Sequence, residues 1–206
     1  MQRFLANVVS YLFHPLLMAT GLLAILYVFA PSVIQPINHK SIKIVLLMVF
    51  VLTYIIPLIS IGMLRLTSNI STMTLSNRKE RVLPFFFVTI YYGLTTYMFA
   101  NKLVLGRTLV VIFLAITSII LLVALITIFT KISAHSAGAG GMVGFMIALH
   151  FKFPDSQLFF PILAGLVLAG IISSARLYLN EHNLKEIAFG AIMGLAVSFG
   201  SVYFLT

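Results

Sequence analysis

The chain has 206 residues, of which 61% are hydrophobic and only 8% charged, and it contains no cysteine. Soluble domains carry about 25% charged residues, so a soluble globular protein is excluded and an integral membrane protein expected; the lack of cysteine excludes disulfides, thiolate catalysis and cysteine-held metals. The net charge of +9 is scattered over short loops, which fits contact with anionic lipid headgroups and not a nucleic-acid patch.

Seven apolar runs follow one another along the chain. The first, residues 9–30, follows Arg3 and is interrupted by His14-Pro15. No small-residue cleavage site follows it, so a retained span is expected in place of a signal peptide. The second, 42–64, is expected to kink at Pro57. A polar loop, 65–82, leads to the third run, 83–100, which is aromatic and short. The fourth, 109–130, is rich in β-branched residues. The fifth, 138–151, is short and glycine-rich; it either borrows residues 133–137 or lies partly buried between other helices. Pro154-Asp155 separates it from the sixth, 158–174, and the last covers 187–205.

About 20 helical residues cross the roughly 30 Å hydrocarbon core. The expected fold class is therefore all-α: a polytopic transmembrane helical bundle of six or seven spans, with seven favoured. Residues 1–206 read as a single integral membrane domain with no appended soluble domain. Gly140/Gly144 and Gly190/Gly194 have the four-residue spacing that lets helices approach closely. No internal repeat is evident, which weighs against a transporter built from inverted halves.

Three polar clusters end these runs: Arg78-Lys79-Glu80-Arg81, Ser133-Ala134-His135 and Arg176…His182…Glu186. If the runs alternate in direction, all three fall on one face of the membrane. That face carries Arg3, Arg65, Arg78, Lys79, Arg81, Lys131, Arg176 and Lys185; the other carries Lys40, Lys43, Lys102, Arg107 and Lys152. Setting aside Lys79, Arg81 and Arg176 as site candidates leaves the two faces equal, so the positive-inside rule assigns no orientation.

Each cluster has a structural and a chemical reading. His182 and Glu186 are four apart and would share a helix face. The carboxylate either orients the imidazole as a nucleophile or base, or the pair stabilises a helix start. Arg176 either offers a planar fork to phosphate oxygens or snorkels to the interface. Around Ser133 and His135, small residues at a helix start leave N–H donors accessible to an anion. His135 would protonate a leaving oxygen or serve structurally. The Arg78–Arg81 cluster either clamps phosphate or anchors a loop. The four carboxylates, Glu80, Asp155, Glu181 and Glu186, are too few and dispersed to cage a hard cation.

Taken together the clusters resemble the type 2 phosphatidic acid phosphatase superfamily. Ser133-Ala134-His135 is similar to its central motif, and Arg176-x5-His182-x3-Glu186 has the spacing of its third. Ile132 and Ala134 replace the proline and glycine of the central motif, Ala175 a serine, and Glu186 an aspartate; Arg78–Pro84 lacks the adjacent Arg-Pro of the first. The likeness covers roughly residues 78–190, with a phosphatase-like core at about 78–206, and His14 is a possible neighbour of the same face. It implies a metal-independent, cofactor-free phosphatase acting on a lipid phosphate or pyrophosphate. In that mechanism His182 attacks phosphorus, Glu186 orients it and His135 protonates the leaving alkoxide before activating water. Arg176, Lys79, Arg81 and backbone donors near Ser133 bind the phosphoryl oxygens. The expected location is a bacterial inner membrane.

Two rival readings stand beside this one. The replaced motif positions and scant extramembrane mass motivate a non-catalytic membrane subunit packed against partner subunits. A small transporter ranks last, because the runs are almost free of the intramembrane charges that mark solute paths.

Overall fold

The computed structural model describes residues 2–38, 40–66, 78–103 and 105–206, and within them every side chain except that of Lys79. The α-helices are α1 (Gln2–Leu12), α2 (Met18–Phe29), α3 (Ile42–Phe50), α4 (Ile56–Leu66), α5 (Arg78–Asn101), α6 (Arg107–Phe129), α7 (Ala134–Lys152), α8 (Phe159–Tyr178) and α9 (Leu184–Leu205). No strand occurs among the described residues. Among the described residues, six helical stretches are long and apolar enough to cross a membrane: 2–29, 42–66, 80–101, 107–129, 159–178 and 184–205. The protein is an all-α polytopic bundle, as the hydropathy pattern indicates. Part of the polar loop, 67–77, lies outside the described residues.

Two of the six stretches are pairs of helices joined by irregular turns, each set by a proline. Pro15 lacks an N–H and disfavours helical backbone in the residue before it. His14 accordingly adopts an extended ψ of 136°, and its Nδ1 accepts the Leu16 N–H at 3.3 Å to start a short 3-10 turn, Pro15–Leu17. The second stretch widens into a π-turn at Val51–Ile55, just before Pro57. Pro57 cannot donate to the carbonyl four residues earlier, so the predicted kink is met by local widening of the helix.

The short fifth run meets both of its expectations. α7 borrows residues from Ala134 onward, and 11 of its 19 residues are buried. It forms the axis of the bundle. α8, by contrast, buries only Ile172, Ala175 and Arg176, all near its C-terminal end. Its remaining surface is apolar and outward-facing, as lipid contact requires.

Burying apolar area gives little net gain between helices already in lipid, so close packing holds them together. α7 and α9 make the most extensive contact in the bundle. The two glycine pairs line that seam. A Cβ on Gly140 would strike the Ala191 carbonyl, one on Gly194 the Ala137 carbonyl, and one on Gly190 would lie 2.7 Å from the Ser133 carbonyl. Leu22, Val49, Phe99, Phe113 and Phe145 are core residues of the larger apolar cluster, drawn from α2, α3, α5, α6 and α7.

Candidate functional site

The C-terminal end of α1, the N-terminal ends of α2, α5 and α7, the C-terminal end of α8 and the link from α8 to α9 meet around a cavity of about 220 Å³. Its polar end is lined by His14, Arg81, His135, Arg176, Glu181 and His182. Its apolar end runs between Leu22, Leu58, Ile61, Ile120 and Phe145. The three sequence clusters therefore converge, each contributing at least one side chain.

The link between α8 and α9 is the part of the site most tightly determined by local chemistry. α8 ends in a Schellman motif: the Asn180 N–H reaches the Leu177 carbonyl at 2.9 Å, and the Glu181 N–H the Arg176 carbonyl at 3.2 Å. The motif needs a left-handed residue, and Asn180 adopts φ 55°; asparagine tolerates this region better than most non-glycine residues. The reversal folds Glu181 and His182 back over Arg176. Asn183 then caps α9, its Oδ1 accepting the Glu186 N–H at 2.9 Å and its Nδ2 donating to Glu186 Oε1 at 3.0 Å. The other carboxylate oxygen, Oε2, lies 2.7 Å from His182 Nδ1. His182 precedes the helix, so the two meet through the cap geometry and not as an i, i+4 pair on a helix face. Here the orienting and helix-starting readings of Glu186 are the same arrangement.

The opposite ring nitrogen, Nε2, lies 3.3 Å from Arg81 Nη1. A guanidinium only donates, so Nε2 is the acceptor and Nδ1 carries the hydrogen given to Glu186. The ring is 94% buried and sits among cations. Burial first, then Arg81, Arg176 and Lys131, push its pKa down from 6.5 to about 3. At neutral pH it is an uncharged imidazole with its lone pair at Nε2.

Arg81 and Arg176 are 4% and 8% exposed. Glu181 lies between them, its Oε2 at 3.8 Å from Arg81 Nη2 and 3.7 Å from Arg176 Nη2. Arg176 Nη1 also donates to Ser10 Oγ at 3.4 Å, whereas its Nε is buried with no partner among the described residues. Leaving such a donor unsatisfied costs about 1–3 kcal/mol, more where the group is charged, and marks a place where an acceptor is missing from the protein itself.

His135 stands in the first turn of α7. Its Nε2 lies 3.1 Å from the Ser10 carbonyl and therefore donates to it, and its ring centroid is 5.7 Å from that of His14, edge to face. Ser10 thus touches two of the candidate residues. It is absent from the sequence reading, as is Glu181 in a site role. No local pattern marks Ser10; the only hint is the His14-Pro15 break that ends α1 beside it.

Two residues of the sequence clusters, of which Ser133 is an expected participant, lie elsewhere. Ser133 does not line the cavity. It is the N-cap of α7, fully buried, with Oγ accepting from the Ser136 N–H at 3.3 Å and from the Ser136 hydroxyl at 2.9 Å; N-capping is the strongest local demand on a serine at a helix start. Arg78 donates from Nη1 to the Ile128 carbonyl at 2.8 Å, satisfying the last turn of α6. The Lys79 side chain lies outside those described. Among the described residues no group of three His, Cys, Asp or Glu has metal-holding geometry.

Comparison with family models, curated proteins and solved structures gives no match to this chain.

Proposed function

We propose that the protein is a membrane phosphatase of lipid phosphates or pyrophosphates that works through a phosphohistidine, as a divergent member of the type 2 phosphatidic acid phosphatase superfamily in a bacterial inner membrane. The observation that carries this reading is His182, held at Nδ1 by Glu186 and presenting Nε2 toward Arg81 in a cavity shared with His135 and Arg176. That is the arrangement of a nucleophile oriented by a third group. The apolar end of the same cavity fits a hydrocarbon tail.

In this mechanism Nε2 forms a bond to phosphorus while the P–O bond to the lipid breaks. The ring becomes a phospho-imidazolium, its charge held against Glu186. His135, in its protonated form, gives a proton to the departing alkoxide, which leaves as the alcohol; water then attacks phosphorus, giving one of its own protons to His135 and freeing His182 and phosphate. Arg81 and Arg176 stabilise the equatorial oxygens, with Lys79, two residues before Arg81 in sequence, as a third cation.

The test is to incubate purified protein with ³²P-labelled lipid phosphates and pyrophosphates. An alkali-stable, acid-labile label on the wild type and none on His182→Ala is expected, with phosphate release lowered at least about 1,000-fold in the variant. No release across the panel, or unchanged release from His182→Ala, would end the proposal. Stoichiometric co-purification of a larger partner, with no vanadate-sensitive activity, would instead favour a non-catalytic subunit.

A further inference from the structure

The mechanism above leaves His14 unused, although it lines the polar end of the cavity beside His135. Its Nδ1 accepts the Leu16 N–H and so caps the turn Pro15–Leu17. A backbone N–H only donates, so the ring hydrogen sits on Nε2. Serine, aspartate or asparagine would serve as well or better for the cap alone; what the imidazole adds is an N–H on the far side of its ring. His135 has the opposite pattern. α1 ends at Leu12, ahead of the His14-Pro15 break, and the Ser10 carbonyl is among the four that a helix end leaves without a partner in the helix. His135 Nε2 donates to it at 3.1 Å, so in the neutral ring the lone pair is on Nδ1. Among the described residues neither His14 Nε2 nor His135 Nδ1 has a hydrogen-bond partner. The two rings stand edge to face with centroids 5.7 Å apart, and Tyr54 meets His14 from its own helix with centroids 6.2 Å apart. Two ring nitrogens that each reach one shared oxygen at about 2.9 Å fit that separation.

We propose that His14 and His135 together seat the water that hydrolyses the phosphohistidine, His14 Nε2–H donating to the water oxygen and His135 Nδ1 accepting one of its hydrogens. The inference rests on reading the cavity as the site of a phosphohistidine phosphatase. A donor and a lone pair side by side complement an O–H group, which accepts at oxygen and donates from hydrogen. The two half-reactions need that seat unequally. In the first, the ester oxygen is tethered to phosphorus, and the arginines hold the phosphoryl group; His135 gives its Nδ1 proton to that oxygen, which leaves as the alcohol. In the second, water arrives untethered. Its oxygen bonds to phosphorus as the bond from phosphorus to His182 Nε2 breaks, and one of its protons passes to His135 Nδ1. Fixing that oxygen is the task of His14. The break between α1 and α2, which lies outside the phosphatase-like residues 78–190, is then part of the site.

The experiment follows formation and loss of phosphohistidine by rapid-quench labelling of the purified full chain in detergent, with ³²P-labelled phosphatidic acid and farnesyl pyrophosphate as donors. Wild type is compared with His14→Asn. Asparagine still caps the turn at Leu16 but does not extend to the position of Nε2. The variant is expected to form the label within about threefold of the wild-type rate and to lose it about 100-fold more slowly, so that labelled protein accumulates. Loss of label at the wild-type rate would reduce His14 to a cap and overturn the proposal. Equal slowing of both steps would make it a general support of the site and overturn it as well. A wild type that takes no label from either donor would bring down the phosphohistidine reading itself, whereas a labelled wild type with unchanged loss in the variant would bring down only the role of His14. Nitrogen NMR of ring-labelled wild type needs no variant to fold: the His14 hydrogen is expected on Nε2, and a hydrogen on Nδ1 alone would leave no donor for the water and end the proposal.

Discussion

His182 is held at both ring nitrogens, and this determines which of them can react. With Glu186 accepting from Nδ1–H and Arg81 donating to Nε2, the tautomer is fixed by neighbours that cannot exchange roles. Nitrogen NMR of ring-labelled protein is expected to show a neutral imidazole with its hydrogen on Nδ1 across roughly pH 5 to 8. A ring that titrates near the ordinary value of 6.5, or that carries its hydrogen on Nε2, would contradict the assignment. The sign for stability follows from the same shift. The folded ring resists protonation down to about pH 3, while the unfolded chain takes up a proton below about 6.5, so this residue destabilises the fold as pH falls through that interval. Most of these residues are legible in the sequence because their chemistry is rare in a chain so poor in charge. Arg81, His135, Arg176, His182 and Glu186 are polar groups at the ends of apolar runs, where they stand out even though anchoring, snorkelling and helix starting could each account for one of them. Ser10 is illegible, since a serine inside an amphipathic helix looks the same whether or not an arginine 166 residues later reaches it. Ser133 misleads for a related reason: its position before a helix suits an anion site and an N-cap equally, and the cap takes the hydroxyl.

At the scale of elements, helix ends do the positioning and glycine spacing does the packing. Hydropathy locates the spans well because lipid demands long apolar segments wherever the backbone crosses. It misplaces their ends, because Arg81, His135 and Arg176, polar residues in the end turns of α5, α7 and α8, line the cavity. The third run is read as starting at residue 83 whereas α5 starts at Arg78, and that missing turn contains Arg81. The glycine spacing, by contrast, identifies the α7–α9 seam directly. Gly194→Ala is expected to lower stability by about 1–3 kcal/mol, since the added methyl strikes the Ala137 carbonyl, which is backbone and cannot rotate away. Gly200→Ala, on the same helix but with open space around it, is expected to change stability by less than about 0.5 kcal/mol. Melting temperatures of the two variants in one detergent check both. Equal melting temperatures would mean that the seam is looser than its backbone contacts imply.

For the whole molecule, the cavity has the polarity of an amphiphile, charged where the helix ends meet and apolar deeper in. If the tail of a substrate occupies the apolar end, a bulkier wall should discriminate by chain length. Ile120→Phe is expected to raise KM for a long-tailed phosphate about tenfold. Hydrolysis of a short, water-soluble phosphate ester should stay within about twofold of wild type. Steady-state kinetics on the two substrates decides, and a parallel loss on both would show that the tail does not lie there. The glycine seam has a consequence for how such a molecule is admitted. Main chain rests on main chain at Gly140, Gly144, Gly190 and Gly194, so at these points no side-chain rotation would let one helix slide past the other. Both imidazoles are mounted on this pair, His135 in the opening turn of α7 and His182 just ahead of α9. The two imidazoles are thus anchored to the most extensive helix contact in the bundle; if a lipid binds as proposed, parting this seam to admit it would cost more than parting the smaller contact where α1 leans on α8 and shows Phe4 and Tyr11.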